Sequence, residues 1–288
     1  YDLISRKNNA ISQCCDRHYE SITMTSRVSI LGRDVSISAL ATGRMDGPAI
    51  LLSNSLGAGL GMWEPQRELL EEHYKVIGYD TRGHGQSSTP AGAYSFDDLT
   101  ADAIAVLDHF EIETADYIGL SLGGMTGIGL GLDHSERFNK IVCACARTDA
   151  PQLFVTSWDD RVSAIADGGM PTIWPGTVER WFTEDFFINN PKLVSKLADD
   201  FVQTTVVGYT GCARALQTLD YKRRLTEMTT PVQYISGAND LGAASSEMHE
   251  MWICTPNSHY YDIPDCAHIA NLNQATDFNR IIKKFLEL

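Results

Sequence analysis

A short segment, residues 117–124 with the sequence YIGLSLGG, limits most strongly which folds this chain can adopt. The apolar run at 115–120 is typical of a buried strand, and the small and apolar residues at 125–132 favour a helix. Gly119 and Gly123 leave room for a sharp turn between the two, where a side chain would collide with neighbouring backbone. The pattern therefore predicts that the serine between them is displayed at the edge of a sheet, as a nucleophile.

Apolar runs and amphipathic segments alternate on both sides of this turn. Strands are predicted at residues 28–31, 35–40, 48–53, 75–79, 115–120, 139–145, 231–236 and 258–263. Helical periodicity is found at residues 63–72, 96–110, 121–133, 243–253 and 274–287. Ser95 and Asp98 fit a capping box at the start of the second of these helices. Alternation at this spacing predicts an eight-stranded, mostly parallel sheet with helices on both faces.

The alternation stops between the sixth and seventh predicted strands. Residues 150–225 contain several helix-like segments, rich in aromatic and charged side chains, and no convincing strand. We therefore expect a helical cap at 150–225, inserted into an α/β core formed by 24–149 and 226–288. The polar residues 1–23 lack the apolar stretch of a secretory signal, and we expect them to form a disordered tail.

Composition narrows the possible partners and location. The net charge of −14 disfavours nucleic acid and anionic membrane as partners. No apolar run approaches the roughly 18 to 20 residues that a membrane-spanning helix needs. The seven cysteines are scattered, which argues against a disulfide framework and predicts a reducing, cytoplasmic location. We expect a small-molecule substrate, and a homodimer is a possible assembly.

A serine nucleophile needs a base that is held by a third group. His268 is the best candidate base, because it stands in a loop directly after the last predicted strand. Asp240 is the favoured orienting acid, since it follows the strand at 231–236, and Asp149 is the alternative. His84, in a glycine-rich loop after the strand at 75–79, is interpreted as a structural histidine.

Acyl transfer also needs hydrogen-bond donors for the developing oxyanion. One predicted donor is the backbone N–H of Leu122, directly after the serine. The second is the N–H of Leu56, in the loop SNSLG that follows the strand at 48–53. We expect this chemistry to need no cofactor and no metal.

Four stretches of the sequence resemble the 3-oxoadipate enol-lactonases, which are α/β-hydrolases: LLSNSLGAGLGMW, YDTRGHGQS, YIGLSLGGMTG and ERWFT. The similarity runs from about residue 25 to the C-terminus. It implies the α/β-hydrolase fold and the triad Ser121, Asp240 and His268, in the chain order of that superfamily. It also implies a lactone or ester as the substrate.

Several side chains are candidates for binding this substrate. Four aromatic residues either line an apolar pocket or pack the cap on the core: Trp63, Trp174, Trp181 and Phe182. Arg180 and Arg214 are candidates for holding a substrate carboxylate, with an ordinary surface position as the alternative for each.

Two other functions remain open at this point. The first is hydrolysis of a carbon–carbon bond in a β-diketone or ring-fission product, which the same triad could perform. The second is ligand binding without catalysis by a protein that retains the fold. Turnover of an ester that depends on Ser121 separates catalysis from binding.

Overall fold

The computed structural model describes residues 27–32 and 34–288, and in this part of the chain eight strands form one sheet. Their order across the sheet is β1-β2-β4-β3-β5-β6-β7-β8. The strands are β1 (Val28–Leu31), β2 (Ser36–Gly43), β3 (Ala49–Ser53), β4 (Lys75–Tyr79), β5 (Ala115–Leu120), β6 (Phe138–Ala144), β7 (Val232–Gly237) and β8 (Ser258–Ile263).

Strand directions confirm the predicted, mostly parallel sheet. Only the pairs β1–β2 and β2–β4 are antiparallel, and the other five neighbouring pairs are parallel. The central strands β3 and β5 are buried along their whole length, because helices cover both faces of the sheet. The carboxyl ends of the parallel strands meet at one edge, where the loops that follow β3, β5, β7 and β8 come together.

Eleven α-helices accompany the sheet in the described part of the chain. They are α1 (Glu64–Leu70), α2 (Phe96–His109), α3 (Leu122–Asp133), α4 (Gln152–Gly168), α5 (Trp174–Trp181), α6 (Glu184–Asn189), α7 (Pro191–Gln203), α8 (Val206–Gln217), α9 (Ser245–Cys254), α10 (Ala270–Asn273) and α11 (Ala275–Leu286). The capping box predicted for α2 is present. Ser95 Oγ accepts a hydrogen bond from the Asp98 amide, and the Asp98 carboxylate accepts one from the Ser95 amide.

Helices α4 to α8 all lie between β6 and β7, and we refer to residues 152–217 as the helical insertion. Aromatic rings hold it together: Phe201 lies 5.2 Å from Trp174, 5.7 Å from Trp181 and 6.0 Å from Tyr209, between ring centroids. The insertion rests on the core where Phe201 packs against Gly57. It therefore covers the loop that follows β3.

Two further predictions concern the N-terminal residues and membrane-spanning helices. The predicted tail, residues 1–23, lies outside the described residues. Within the described residues, no helix combines the length and the apolar character that crossing a bilayer requires.

Candidate active site

Ser121 occupies the sharp turn between β5 and α3. Its φ of +57° and ψ of −114° are unusual for a residue with a side chain. The turn is tight because a Cβ on Gly119 would collide with the Gly123 carbonyl, and a Cβ on Gly123 with the Ser53 carbonyl. The Ser121 amide donates to the Ala144 carbonyl of β6 at 2.8 Å. The backbone thus fixes the serine side chain at the carboxyl edge of the sheet.

Ser121, His268 and Asp240 form a continuous chain of hydrogen bonds. His268 Nε2 lies 2.9 Å from Ser121 Oγ, and His268 Nδ1 lies 2.8 Å from Asp240 Oδ2. Since a carboxylate only accepts, Nδ1 carries the ring hydrogen and Nε2 is free to accept from the serine hydroxyl. The amides of Gly242 and Ala243 donate to the other Asp240 oxygen at 2.7 and 3.1 Å, which orients the carboxylate.

Asp149, the alternative acid, has other partners. Its carboxylate lies 3.7 Å from both the Arg147 guanidinium and the Lys222 ammonium. Among the described residues it forms no hydrogen bond with His268, whose Nδ1 faces Asp240. The geometry therefore favours Asp240 as the partner of the histidine.

Among the described residues, the Leu56 and Leu122 amides are available to bind a ligand. Leu122 is the first residue of α3, and an amide at that position has no acceptor within its own helix. In the loop after β3, Gly57 donates to His84 and Ala58 to the Ser55 carbonyl. Among the described residues, no acceptor is found for the Leu56 amide between them. Ser121 and Leu56 both line the same cavity.

Trp63 supports this loop through a hydrogen bond and does not line the cavity, in contrast to one of its two predicted roles. Its side chain is fully buried, and Nε1 donates to Asn54 Oδ1 at 2.9 Å. The Asn54 amide group donates to the Tyr79 carbonyl at 3.2 Å, and the Asn54 carbonyl accepts from the Gly123 amide at 3.1 Å. Trp63 thus connects the loop that carries Leu56 to the turn that carries Ser121.

His84 supports the same loop through a second hydrogen bond, in keeping with its structural interpretation. Its Nδ1 faces the Arg82 carbonyl at 3.1 Å, so Nε2 is the nitrogen that accepts from the Gly57 amide at 2.9 Å. Burial lowers the pKa of His84 below its usual value, which keeps the ring neutral and Nε2 available as an acceptor.

A cavity of about 580 Å³ opens above Ser121 and His268. The helical insertion supplies most of its walls. Its apolar lining includes Leu153, Phe154, Trp158, Trp181, Tyr209 and Leu216. A pocket of this size and character fits a small organic molecule, with the serine hydroxyl at its floor.

The predicted binding residues divide into two groups. Arg180 and Trp181 line the cavity. Outside its lining lie Trp63, Trp174, Phe182 and Arg214. Trp174 packs edge-on against Trp181, and Phe182 stacks on Phe186 at 4.7 Å between ring centroids. Arg214 is half-buried and pairs with Asp159 at 2.6 Å.

Two cavity-lining arginines, Arg147 and Arg161, were not predicted from the sequence. Arg147 stands three residues after β6, so its position at the end of a parallel strand was an available signal. Arg161 follows Trp158 by one helical turn on α4, and this spacing does not indicate which face of the helix meets the cavity. Only the tertiary structure identifies Arg161 as a lining residue.

Comparison with known proteins places this architecture in a family. The family model described as the alpha/beta hydrolase fold matches residues 48–275. The chain therefore belongs to the α/β-hydrolase family, and it is a hydrolase.

Within that family the similarity extends to enol-lactonases. The chain is 35% identical to 3-oxoadipate enol-lactonase 2 of Acinetobacter baylyi over 260 residues, which cover 90% of this chain and 96% of the relative. It is 31% identical to 3-oxoadipate enol-lactonase 1 of the same organism over 270 residues, which cover 93% and 97%. The crystal structure of the enol-lactonase from Burkholderia xenovorans superimposes with a TM-score of 0.86 at 30% identity, covering 91% of this chain and all of that one.

Proposed function

We propose that this protein is a serine hydrolase that opens a small lactone or cleaves an ester through Ser121, His268 and Asp240. The observation that carries the proposal is the hydrogen-bonded chain from Asp240 through His268 to a serine that lines a cavity. Similarity to proteins named enol-lactonases supports a lactone as the substrate.

The reaction starts at the Ser121 hydroxyl. His268 Nε2 takes the hydroxyl proton as Oγ forms a bond to the substrate carbonyl carbon, and Asp240 stabilises the resulting imidazolium. The carbonyl oxygen becomes an oxyanion, which accepts hydrogen bonds from the Leu56 and Leu122 amides.

Collapse of this intermediate breaks the bond between the carbonyl carbon and the ring oxygen. His268 returns its proton to the leaving alkoxide, and the acyl group stays on Ser121 as an ester. Water then attacks this ester with His268 as base, which releases a carboxylic acid and restores the serine.

A lactone adds a requirement, because its leaving alcohol stays tethered to the acyl group. The alcohol can attack the acyl-enzyme and close the ring again. A cavity of about 580 Å³ with apolar walls lets the opened chain move away from Ser121 before water attacks.

A fluorophosphonate probe tests the nucleophile directly. We expect intact-protein mass spectrometry to show one adduct on the unmodified chain and none on Ser121→Ala. Ser163→Ala, which changes an exposed serine of α4, is the control and should be labelled fully. Ester and lactone turnover should disappear together with labelling. Turnover that persists in Ser121→Ala would refute the serine mechanism, and labelling without turnover would favour a binding protein.

A further inference from the structure

Two leucines line the cavity and yet are largely exposed to solvent. Leu153 is 86% exposed and Leu241 is 80% exposed, and both line the cavity above Ser121. The other described leucines and aromatic residues of the lining are buried or half-buried. A side chain that is mostly exposed and also lines a cavity lies where the cavity opens to solvent. We therefore refer to Leu153 and Leu241 as the mouth leucines.

A chain of contacts joins the two segments that carry the mouth leucines. Leu153 belongs to the first turn of α4, where the centroid of the neighbouring Phe154 ring lies 4.1 Å from the Arg147 guanidinium carbon. Arg147 pairs at 2.8 Å with Glu247, in the first turn of α9. This helix directly follows the loop that contains Leu241. The start of α4 and the loop after β7 are therefore neighbours at the rim of the cavity.

Apolar lining continues inward from the mouth along one face of α4. The lining residues of this helix are 153, 154, 157, 158 and 161, and residues three and four apart share a helix face. The Phe154 and Trp158 rings pack edge to face, with 5.9 Å between their centroids. Arg161 lies about 12 Å beyond Leu153 along the helix, at a rise of about 1.5 Å per residue. An apolar group at this end of α4 therefore meets leucine and aromatic surface.

The mouth leucines differ from ordinary exposed apolar residues. An isolated exposed leucine needs no functional explanation, since much of any protein surface is apolar. Leu153 and Leu241, in contrast, extend an apolar wall that leads to the nucleophile. A ligand that covers them removes apolar surface from water, and each fully buried methylene raises affinity by about fourfold. A chain of a few methylenes is therefore enough for strong selection.

The position of Leu241 indicates which part of a substrate reaches the mouth. Leu241 lies between Asp240, which accepts from His268, and Gly242, where an added Cβ would lie 3.4 Å from His268 Nδ1. This loop therefore runs along the histidine ring. In the proposed reaction His268 returns its proton to the leaving oxygen, so the alcohol half of the substrate lies beside the same ring. The alcohol half is thus the part of the substrate closest to Leu241.

We propose that Leu153 and Leu241 form an apolar subsite at the mouth of the cavity, which binds an alkyl chain on the alcohol half of the substrate. In a lactone, this chain is attached to the carbon that bears the ring oxygen. The inference rests on the proposed function of the same cavity and adds the substrate class, alkyl-substituted lactones. A cavity of about 580 Å³ falls in the range of pockets that hold drug-sized ligands, so it has room for a ring and a chain.

Three lactones test this proposal: γ-valerolactone, γ-octalactone and α-butyl-γ-butyrolactone. The last two are isomers, with the butyl chain on the carbon that bears the ring oxygen in γ-octalactone and on the acyl half in the other. γ-Valerolactone has only a methyl group at the first of these positions. We expect the wild-type kcat/KM for γ-octalactone to exceed the values for both other lactones by at least about 10-fold, because the added methylenes are buried at the mouth.

Replacing both mouth leucines, in Leu153→Ser/Leu241→Ser, should lower kcat/KM for γ-octalactone by about 10-fold. The value for γ-valerolactone should fall by at most about threefold, since its methyl group ends short of the mouth. This second readout detects a disturbance of the neighbouring Asp240, which would lower both values equally. Leu31→Ser is the matched control, because Leu31 is a leucine of β1 that is 85% exposed and lies outside the cavity lining. It should change neither value.

Three outcomes would overturn the proposal. They are equal losses for γ-octalactone and γ-valerolactone in the double variant, no preference of the wild type for γ-octalactone over γ-valerolactone, and a preference for the α-butyl isomer. In each case turnover of γ-valerolactone that is lost in Ser121→Ala leaves the proposed function intact.

If the protein turns over none of the three lactones, calorimetric titration with γ-octalactone gives the readout. Binding to the wild type that is at least about 10-fold weaker in the double variant supports the apolar subsite even though the proposed function has failed. Absence of γ-octalactone binding to the wild type at millimolar concentration overturns the subsite as well.

Discussion

At the residue scale, the backbone holds Ser121 with φ of +57°, a conformation that costs a residue with a side chain on the order of 1–3 kcal/mol. The surrounding contacts impose it, since Gly119 and Gly123 allow the strand and helix to approach and the Ser121 amide is bonded to β6. The result is a hydroxyl that meets His268 without blocking the cavity.

The choice between two carboxylates can be tested at this scale. Asp240→Asn should lower kcat for p-nitrophenyl hexanoate by about 10⁴-fold, because the amide favours the wrong histidine tautomer. Asp149→Asn should have little effect on kcat, since Asp149 faces Arg147 and Lys222. Steady-state kinetics of both variants, with circular dichroism as the check of folding, measure this. A larger loss in Asp149→Asn would show that Asp240 is not the orienting acid.

At the element scale, the loop after β3 is held between Trp63 and His84. The Trp63 side chain donates a hydrogen bond to Asn54 at the start of the loop, and the His84 side chain accepts one from Gly57 in its middle. The Leu56 amide lies between these two supports, so its position depends on both.

Removing the Trp63 donor tests the first support. Trp63→Phe keeps an aromatic ring but leaves the buried Asn54 Oδ1 without this partner, which should lower the free energy of unfolding by about 1–3 kcal/mol. We expect kcat to fall as well, because the Leu56 loop loses its anchor. Urea denaturation and ester kinetics measure the two effects. Trp252→Phe, which removes a solvent-exposed indole bond to Ser258, is the control and should change neither by a comparable amount.

The second support predicts a dependence of stability on pH. The pKa of His84 is lowered in the folded protein because of burial, so the unfolded chain binds the proton more readily. The contribution of His84 to the free energy of unfolding is therefore largest above the usual histidine pKa of about 6.5. It decreases as the pH falls below that value, by at most about 1.4 kcal/mol per pH unit.

Urea denaturation between pH 5 and 8 measures this contribution. His84→Gln keeps an acceptor but cannot titrate, so its free energy of unfolding should decrease less steeply at low pH than that of the wild type. Identical slopes for the two proteins would contradict the assignment.

At the scale of the whole molecule, the helical insertion contacts two of the loops at the carboxyl edge of the sheet. The Ile269 amide donates to the Trp181 carbonyl at 3.0 Å, beside the bond from the His268 amide to Arg180. Phe201 contacts Gly57, in the loop that follows β3. The insertion thus contacts both the histidine loop and the Leu56 loop.

Loss of the Phe201 ring tests this coupling. Phe201→Ala should lower the free energy of unfolding by about 3–5 kcal/mol, since the ring is completely buried. It should also lower kcat under conditions where the protein remains folded, because Gly57 loses its packing partner. Phe186→Ala, at a half-buried ring of α6, is the control, for which we expect a smaller loss of stability and unchanged kcat. Equal effects on kcat would argue against the coupling.

The sequence determined the fold class, because strand and helix periodicities are local. The glycines beside Ser121 are also explained locally, since they are needed for the sharp turn between strand and helix. It also brought Ser121, Asp240 and His268 into one prediction, since residues that follow parallel strands meet at the same edge of a sheet. Their hydrogen bonds have the predicted partners, and their catalytic roles remain a proposal.

Only the tertiary structure decided which side chains line the cavity. Trp63 and Trp181 are both tryptophans beside characteristic motifs, yet one supports a loop inside the core and the other lines the cavity. Arg161 faces the cavity because of how α4 packs on α5 and α8, and Tyr209 and Thr177 complete its position. Other contacts of the insertion likewise join residues that are far apart in the chain, such as Gly57 and Phe201. The direction in which an inserted helix faces depends on such long-range packing, and local periodicity does not encode it.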